Sequence, residues 1–182
     1  DAVLAAGGTC VMVSINWAGF AAVEHLRRHS QLPIHGHRNG WGAFTRHPGL
    51  GFSFTAYQKL WRLAGVDQLH VNGIRSKFCE SDASVIESAR ALLAPWAGVR
   101  TIMPVSSSGQ WAGQAPDLFA ALGSDDVMHL AGGGIIGHPD GIVAGMASMR
   151  EGWEAAKAGV SLDSYAESHP ALRRALVHFG KL

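Results

Sequence analysis

Five short apolar runs, at 10–15, 32–37, 68–71, 100–105 and 127–131, alternate with stretches of helical periodicity at 18–29, 55–63, 83–93, 115–122, 141–158 and 171–179. No other feature of the sequence constrains the fold as strongly. Strand, helix, strand at this spacing is the pattern of consecutive βα units around a parallel sheet. Local signals agree: Ser81-Asp82 and Pro139-Asp140 read as helix starts, and Gly65, after Leu63-Ala64, reads as a helix stop. Five strands cannot close an eight-stranded barrel, so either three strands lie upstream or the sheet is open. In parallel α/β folds the chemistry collects at the C-terminal strand ends. Those ends carry His35, His37 and Arg38; His70; Ser106, Ser107, Ser108 and Gly109; and Gly132, Gly133 and Gly134.

Composition narrows the function classes. The 182 residues suffice for one domain with a sizeable core, and no repeat, low-complexity segment or linker divides them. Hydrophobic residues make up 47% and charged residues 16%, as in an α/β protein with much buried surface. No apolar run reaches the length of a membrane-spanning helix. A net charge of +1, without a basic stripe, gives no case for nucleic acid. Cys10 and Cys79 lack CxxC partners, which favours a reducing cytoplasm over a disulfide framework and argues against a structural zinc. The chain has no signal-peptide pattern, lacks an initiator Met and opens in what reads as the end of a helix, so it is read as a piece of a longer one.

Four constellations carry chemistry. In the run from Pro33 to Trp41, His35 and His37 share a strand face, and with Arg38 they supply a titrating base and an anion clamp. The plain alternative is a pair of hydrogen-bonded structural histidines. In the second, His70 ends a strand that runs into a loop with Gly73 as hinge and Lys77 near its tip. A mobile loop can close an ammonium over a substrate, although a lone loop lysine is more often simply solvated. The third and fourth, Ser106 to Gly109 and Gly132 to Gly134, follow the last two strands. Small residues there let backbone N–H groups approach an anion, and paired loops after successive strands are a phosphate-site pattern, whereas a lone Gly-Gly-Gly also serves tight turns. Tyr57, Trp61 and Trp153 read as core, and Trp41, just past the His-Arg strand end, as a residue that lines the site.

PIHGHR (33–38), GVDQLHVNGIRSK (65–77), PVSSSG (104–109) and AGGGIIGHPDG (131–141), in this order and spacing, resemble the C-terminal barrel of the RuBisCO large-chain superfamily from residue 7 to about 158. The resemblance implies strands four to eight of a (β/α)8-barrel, with an N-terminal domain and the first barrel strands absent. It further implies roles. His37 matches a proton-transfer histidine, and Arg38 and His70 a phosphate-clamping pair. Lys77 matches the lysine of the mobile sixth loop, and Ser107 a substrate contact. Ser108, Gly109, Gly132 and Gly133 match a backbone cradle for a second phosphate.

Departures shape the rest. Trp41 stands where RuBisCO has a histidine, Ser107-Ser108-Gly109 replaces Ser-Gly-Gly, Ser14 replaces an acidic residue, and the lysine loop reads Ile74-Arg75-Ser76-Lys77-Phe78. These argue against a ribulose-bisphosphate carboxylase and for a RuBisCO-like protein. The stretch from His35 to Gly73 resembles members of apionate catabolism that decarboxylate 3-oxo-isoapionate 4-phosphate. The alternatives are enolases or isomerases of methylthio sugar phosphates, and a non-catalytic barrel fragment. The family's cofactor is Mg2+, bound by a carbamylated lysine and two carboxylates in a motif this chain lacks, so the metal ligands are expected upstream. The family builds its site across a dimer, so a homodimer or higher homo-oligomer is expected, and the isolated chain is expected to be inactive.

Overall fold

The computed structural model describes residues 1–51 and 53–180. Its strands are β1 (Val11–Ser14), β2 (Ile34–His37), β3 (Gln68–His70), β4 (Met103–Ser106) and β5 (Met128–His129), in the order β1-β2-β3-β4-β5. Each is followed by helix. The helices are α1 (Ala2–Ala5), α2 (Ile15–His29), α3 (Gly42–Thr45), α4 (Phe54–Leu63), α5 (Asp82–Leu93), α6 (Ala115–Leu122), α7 (Gly132–Ile136), α8 (Gly141–Ala158), α9 (Leu162–Ala166) and α10 (Pro170–Phe179). The strand order equals the sequence order, as expected for successive βα units. The chain groups into two compact units. One comprises residues 1–71 and 87–105, the other 72–86 and 106–182.

In the first unit, β1 to β4 pair in parallel, with Val11 opposite Ile34, His35 opposite Gln68, and Gln68 opposite Met103. Ile34, Leu69 and Val105 are fully buried, each stabilising the core by roughly 1.5–3 kcal/mol. Two polar residues fix the strand starts. Asp67 accepts from Ile34 N at 2.7 Å and from Arg27 Nη1 at 2.6 Å, joining β2, β3 and α2. Buried Arg62 on α4 donates to the carbonyls of Ala91, Ala94, Val99 and Arg100 at 2.6–3.2 Å. It thereby satisfies the orphan carbonyls at the end of α5 and locks the approach to β4. Tyr57 and Trp61 are buried on α4 as expected, while Leu60 faces outward. Helix α2 is interrupted at Gly19, whose φ of 79° and ψ of 165° are not helical.

In the second unit, α8 packs on the segment after β4 and on the turn after β5. Its glycines permit the approach: a Cβ at Gly152 would lie 2.8 Å from Ala112 O, and one at Gly145 would overlap Ile135 O. Around Ala112, Ala131, Met149, Ala166 and Leu172 these elements and α9 and α10 form one apolar cluster. Leu130 N donates to Ser106 O at 2.8 Å, joining β5 to the end of β4. Ser81 caps the start of α5 through Ser84 N at 3.3 Å. Asp140 makes no such cap on α8, because its carboxylate pairs with Arg174 instead. Cys10 and Cys79 are free thiols. Among the described residues no helix is long and apolar enough to cross a membrane.

Candidate functional site

The first unit gathers His35, His37, Arg38 and His70 at the ends of β2 and β3. His35 and His37 do share a face, and both rings meet His70, at centroid distances of 4.9 and 4.4 Å. Hydrogen bonding fixes the protons. His35 Nδ1 lies 2.8 Å from Gln68 Oε1, which can only accept, so this nitrogen carries the proton and His35 Nε2 is an acceptor. His35 Nε2 lies 2.7 Å from His70 Nε2, so His70 donates there. Burial first, then the neighbouring charges of His37, His35 and Arg38, push the His70 pKa down to about 3. His70 is therefore neutral at ordinary pH, beside the permanently charged guanidinium of Arg38. His37 Nδ1 accepts from Asn39 N at 3.1 Å, which leaves Nε2 as the atom that holds the proton of the neutral ring.

Aromatic residues surround Arg38. Its guanidinium carbon lies 3.8 Å from the centroid of the Phe54 ring and 5.3 Å from that of Trp41, and the residue is 1% exposed. Cation–π attraction orients the guanidinium plane there. Trp41 stands beside this guanidinium, edge-on to Phe54 at 5.0 Å. Behind it, Asn16 Nδ2 donates to Asn39 O at 2.9 Å, and Tyr57 OH donates to Asn16 Oδ1 at 2.5 Å. Burial raises the Tyr57 phenol to about 12, so it remains a donor. Sequence reasoning passed over Asn16, Phe54 and Gln68. Gln68 had a signal, two residues before His70 on the same strand face.

The second unit holds Lys77, Ser107, Ser108, Gly109, Gly132 and Gly133. Lys77 is exposed in the loop after β3, and its main-chain N lies 3.8 Å from where a Cβ on Gly109 would stand. The foot of that loop is fastened. Arg75 pairs with Asp117 and donates to Gly113 O at 3.0 Å, and its N–H reaches Asp82 Oδ1 at 2.7 Å. Ser107 is buried, while Ser108 and Gly109 follow with φ of 77° and 70°. Two successive left-handed residues turn the chain sharply, and the serine bears a conformational cost that glycine avoids. Gly132 and Gly133 are exposed, with open space where side chains would be. Gly134 differs: a Cβ there would sit 2.6 Å from Trp111 Cβ, so it serves packing. Beside Gly109 and Gly133 opens a cavity of about 530 Å³, also lined by Trp111 and Phe179.

Donors and cations dominate both groups, which suits anionic ligands. Among the described residues no group of three His, Cys, Asp or Glu side chains is placed to hold a metal. The imidazoles of His35 and His70 are committed to each other, and among the described residues no carboxylate completes a metal-binding group with them, so these residues do not fit a magnesium site.

Residues 1–179 match the family described as ribulose bisphosphate carboxylase large chain, catalytic domain. The chain belongs to the RuBisCO large-chain family. It is 56% identical, over 97% of its length, to a protein of Xanthobacter autotrophicus named 3-oxo-isoapionate-4-phosphate transcarboxylase/hydrolase, of which it covers 43%. It is 45% identical, over 98% of its length, to a protein of Rhizobium etli named 3-oxo-isoapionate-4-phosphate decarboxylase, again covering 43%. A crystal structure of a RuBisCO-like protein from Burkholderia fungorum superposes with a TM-score of 0.94 at 52% identity, over 97% of this chain and 44% of that one. The chain thus spans somewhat under half the length of the relatives it matches. The five-stranded parallel arrangement is part of the RuBisCO-like barrel, as the order of motifs implied.

Proposed function

We propose that these residues are the C-terminal barrel portion of a RuBisCO-like lyase that decarboxylates 3-oxo-isoapionate 4-phosphate. The observation that carries this reading is the match, along nearly the whole chain, to two proteins named for that substrate. The side chains support it. Loss of CO2 from a β-keto acid leaves an enediolate, whose charge must be stabilised and whose carbon must be protonated. Lys77, in its loop after β3, is the group to stabilise that charge once the loop closes. His37 Nε2 is the atom to move the proton. Arg38, held against Phe54 and Trp41, binds phosphate; His70 beside it, which the resemblance pairs with Arg38 in that role, gives its one proton to His35 Nε2 and so positions the group rather than donating to the anion. Ser107 contacts the substrate, and the backbone at Ser108, Gly109, Gly132 and Gly133 forms a second anion cradle. Mg2+, when bound, would supply Lewis-acid stabilisation of the enediolate oxygens. Its ligands are expected outside these residues, as is the partner subunit of a cytoplasmic homodimer or larger homo-oligomer. The 182 residues alone are therefore expected to show no turnover.

A second reading has a specific observation behind it. The relative at 56% identity is named a transcarboxylase/hydrolase rather than a decarboxylase. Identifying the products made by the full-length protein from 3-oxo-isoapionate 4-phosphate separates the two: stoichiometric CO2 supports decarboxylation, and a carboxyl group retained in an organic product supports the other. Turnover of methylthio sugar phosphates instead would reject both.

A further inference from the structure

Within the second unit one buried side chain touches three loops. Gln110 is 1% exposed. Its amide Nε2 donates to Ile74 O at 3.0 Å and to Ser108 O at 3.1 Å. Its Oε1 faces Ser106 Oγ at 3.4 Å and His129 Nε2 at 3.3 Å. Its main-chain carbonyl accepts from Gly134 N at 3.2 Å. The lysine loop, the serine-glycine turn and the triple-glycine turn are therefore all bonded to this residue.

The orientation of the amide is dictated from α8. Trp153 Nε1 is a donor only, and it lies 3.1 Å from His129 Nδ1, so that nitrogen must accept. The proton of neutral His129 then sits on Nε2 and points at Gln110 Oε1. With the oxygen so engaged, the NH2 group must face the two carbonyls. Burial keeps His129 neutral by pushing its pKa down to about 4, so the arrangement persists at ordinary pH.

The consequence follows from the planar trans peptide, in which C=O and the next N–H point in opposite directions. Drawing Ser108 O inward turns the N–H of exposed Gly109 outward. Drawing Ile74 O inward turns Arg75 N–H toward Asp82, where it bonds at 2.7 Å. The fit leaves no spare room: a Cβ on Gly73 would overlap Gln110 Nε2 and lie 2.6 Å from Ser107 O.

We propose that Gln110 is the positioning residue of the anion cradle, holding the Gly109 N–H toward the ligand through a relay that starts at Trp153 and passes through His129. This rests on the reading of Ser108, Gly109, Gly132 and Gly133 as an anion cradle. The test uses the full-length enzyme and inorganic phosphate as a competitive inhibitor, comparing wild type with Gln110→Met, Gln110→Glu and Trp153→Phe. Met keeps the length but no amide. Glu keeps the length and the bond to His129, yet its carboxylate cannot donate to two carbonyls. Both are expected to raise KM and the phosphate inhibition constant together by at least tenfold, with a smaller change in kcat. Trp153→Phe leaves Gln110 in place and frees the His129 tautomer, so it should raise both constants about threefold, and it decides the matter should the Gln110 variants not fold. Gln110→Glu with wild-type constants, or a fall in kcat at unchanged KM, overturns the positioning role while leaving the cradle intact. Wild-type enzyme that phosphate does not inhibit overturns the cradle itself.

Discussion

Lowering the pH should destabilise the protein through two imidazoles that fold in the neutral state. His70 is held near 3 by burial and by neighbouring positive groups, and His129 near 4 by burial. In the unfolded chain both titrate at about 6.5. Below that value the unfolded state binds protons that the folded state does not, so stability rises with pH. The contribution is fully present above pH 6.5 and is lost as pH falls toward 3 for His70 and toward 4 for His129. Each imidazole adds a slope of up to about 1.4 kcal/mol per pH unit, or about 2 kcal/mol between pH 6 and 4.5. That is a large fraction of a typical folding free energy of roughly 5–15 kcal/mol. The assay is urea unfolding of the full-length protein at pH 7, 6, 5 and 4.5, with His70→Gln and His129→Gln as references. Carboxylates also titrate in this range, so the difference between wild type and each variant isolates the imidazole. Each variant should lose part of the slope. Identical slopes in wild type and both variants would refute the assignment of these histidines as neutral.

Arg38→Ala should raise KM more than it lowers kcat, by on the order of 10- to 100-fold, the scale of a lost hydrogen bond to a charged group; an unchanged KM removes Arg38 from phosphate binding. Lys77→Met should depress kcat over the whole pH range, whereas His37→Asn should lower kcat and flatten one limb of the pH–rate profile, and a wild-type profile in His37→Asn would reduce that histidine to a positioning role. Gly73→Ala should cost about 1–3 kcal/mol of stability through overlap with Gln110, as measured by chemical denaturation; a neutral result would mean that the Gln110 contact yields freely.

Much of the fold was legible because each strand is a short apolar run and each long helix has its own apolar stripe. Helices α6 and α8 occupy the predicted spans Ala115–Leu122 and Gly141–Ala158, and β2 ends at His37 as read. Several shorter elements escaped. Gly132–Ile136 reads as a loop from sequence because three glycines argue against helix, yet it forms one turn bonded from Ile135 N to Ala131 O. Helix α2 begins at Ile15, before Gly19, whose non-helical backbone hid the first turn. At the site, the side chains at strand ends could be named from position alone. Their supports could not, since Asn16, Phe54, Gln110 and His129 act through bonds to residues distant in sequence. The protonation of the His35–His70 pair likewise follows from Gln68, whose role appears only once β2 and β3 are in register.

Decarboxylation is measured by incubating the purified full-length protein with 3-oxo-isoapionate 4-phosphate and Mg2+ and following CO2 release together with the organic product. One CO2 per substrate consumed is expected, with loss of that release in the Lys77→Met variant. Undiminished CO2 release by Lys77→Met would remove the lysine from the reaction, and no consumption of this substrate while a methylthio sugar phosphate is enolised or isomerised would rule out the decarboxylase reading.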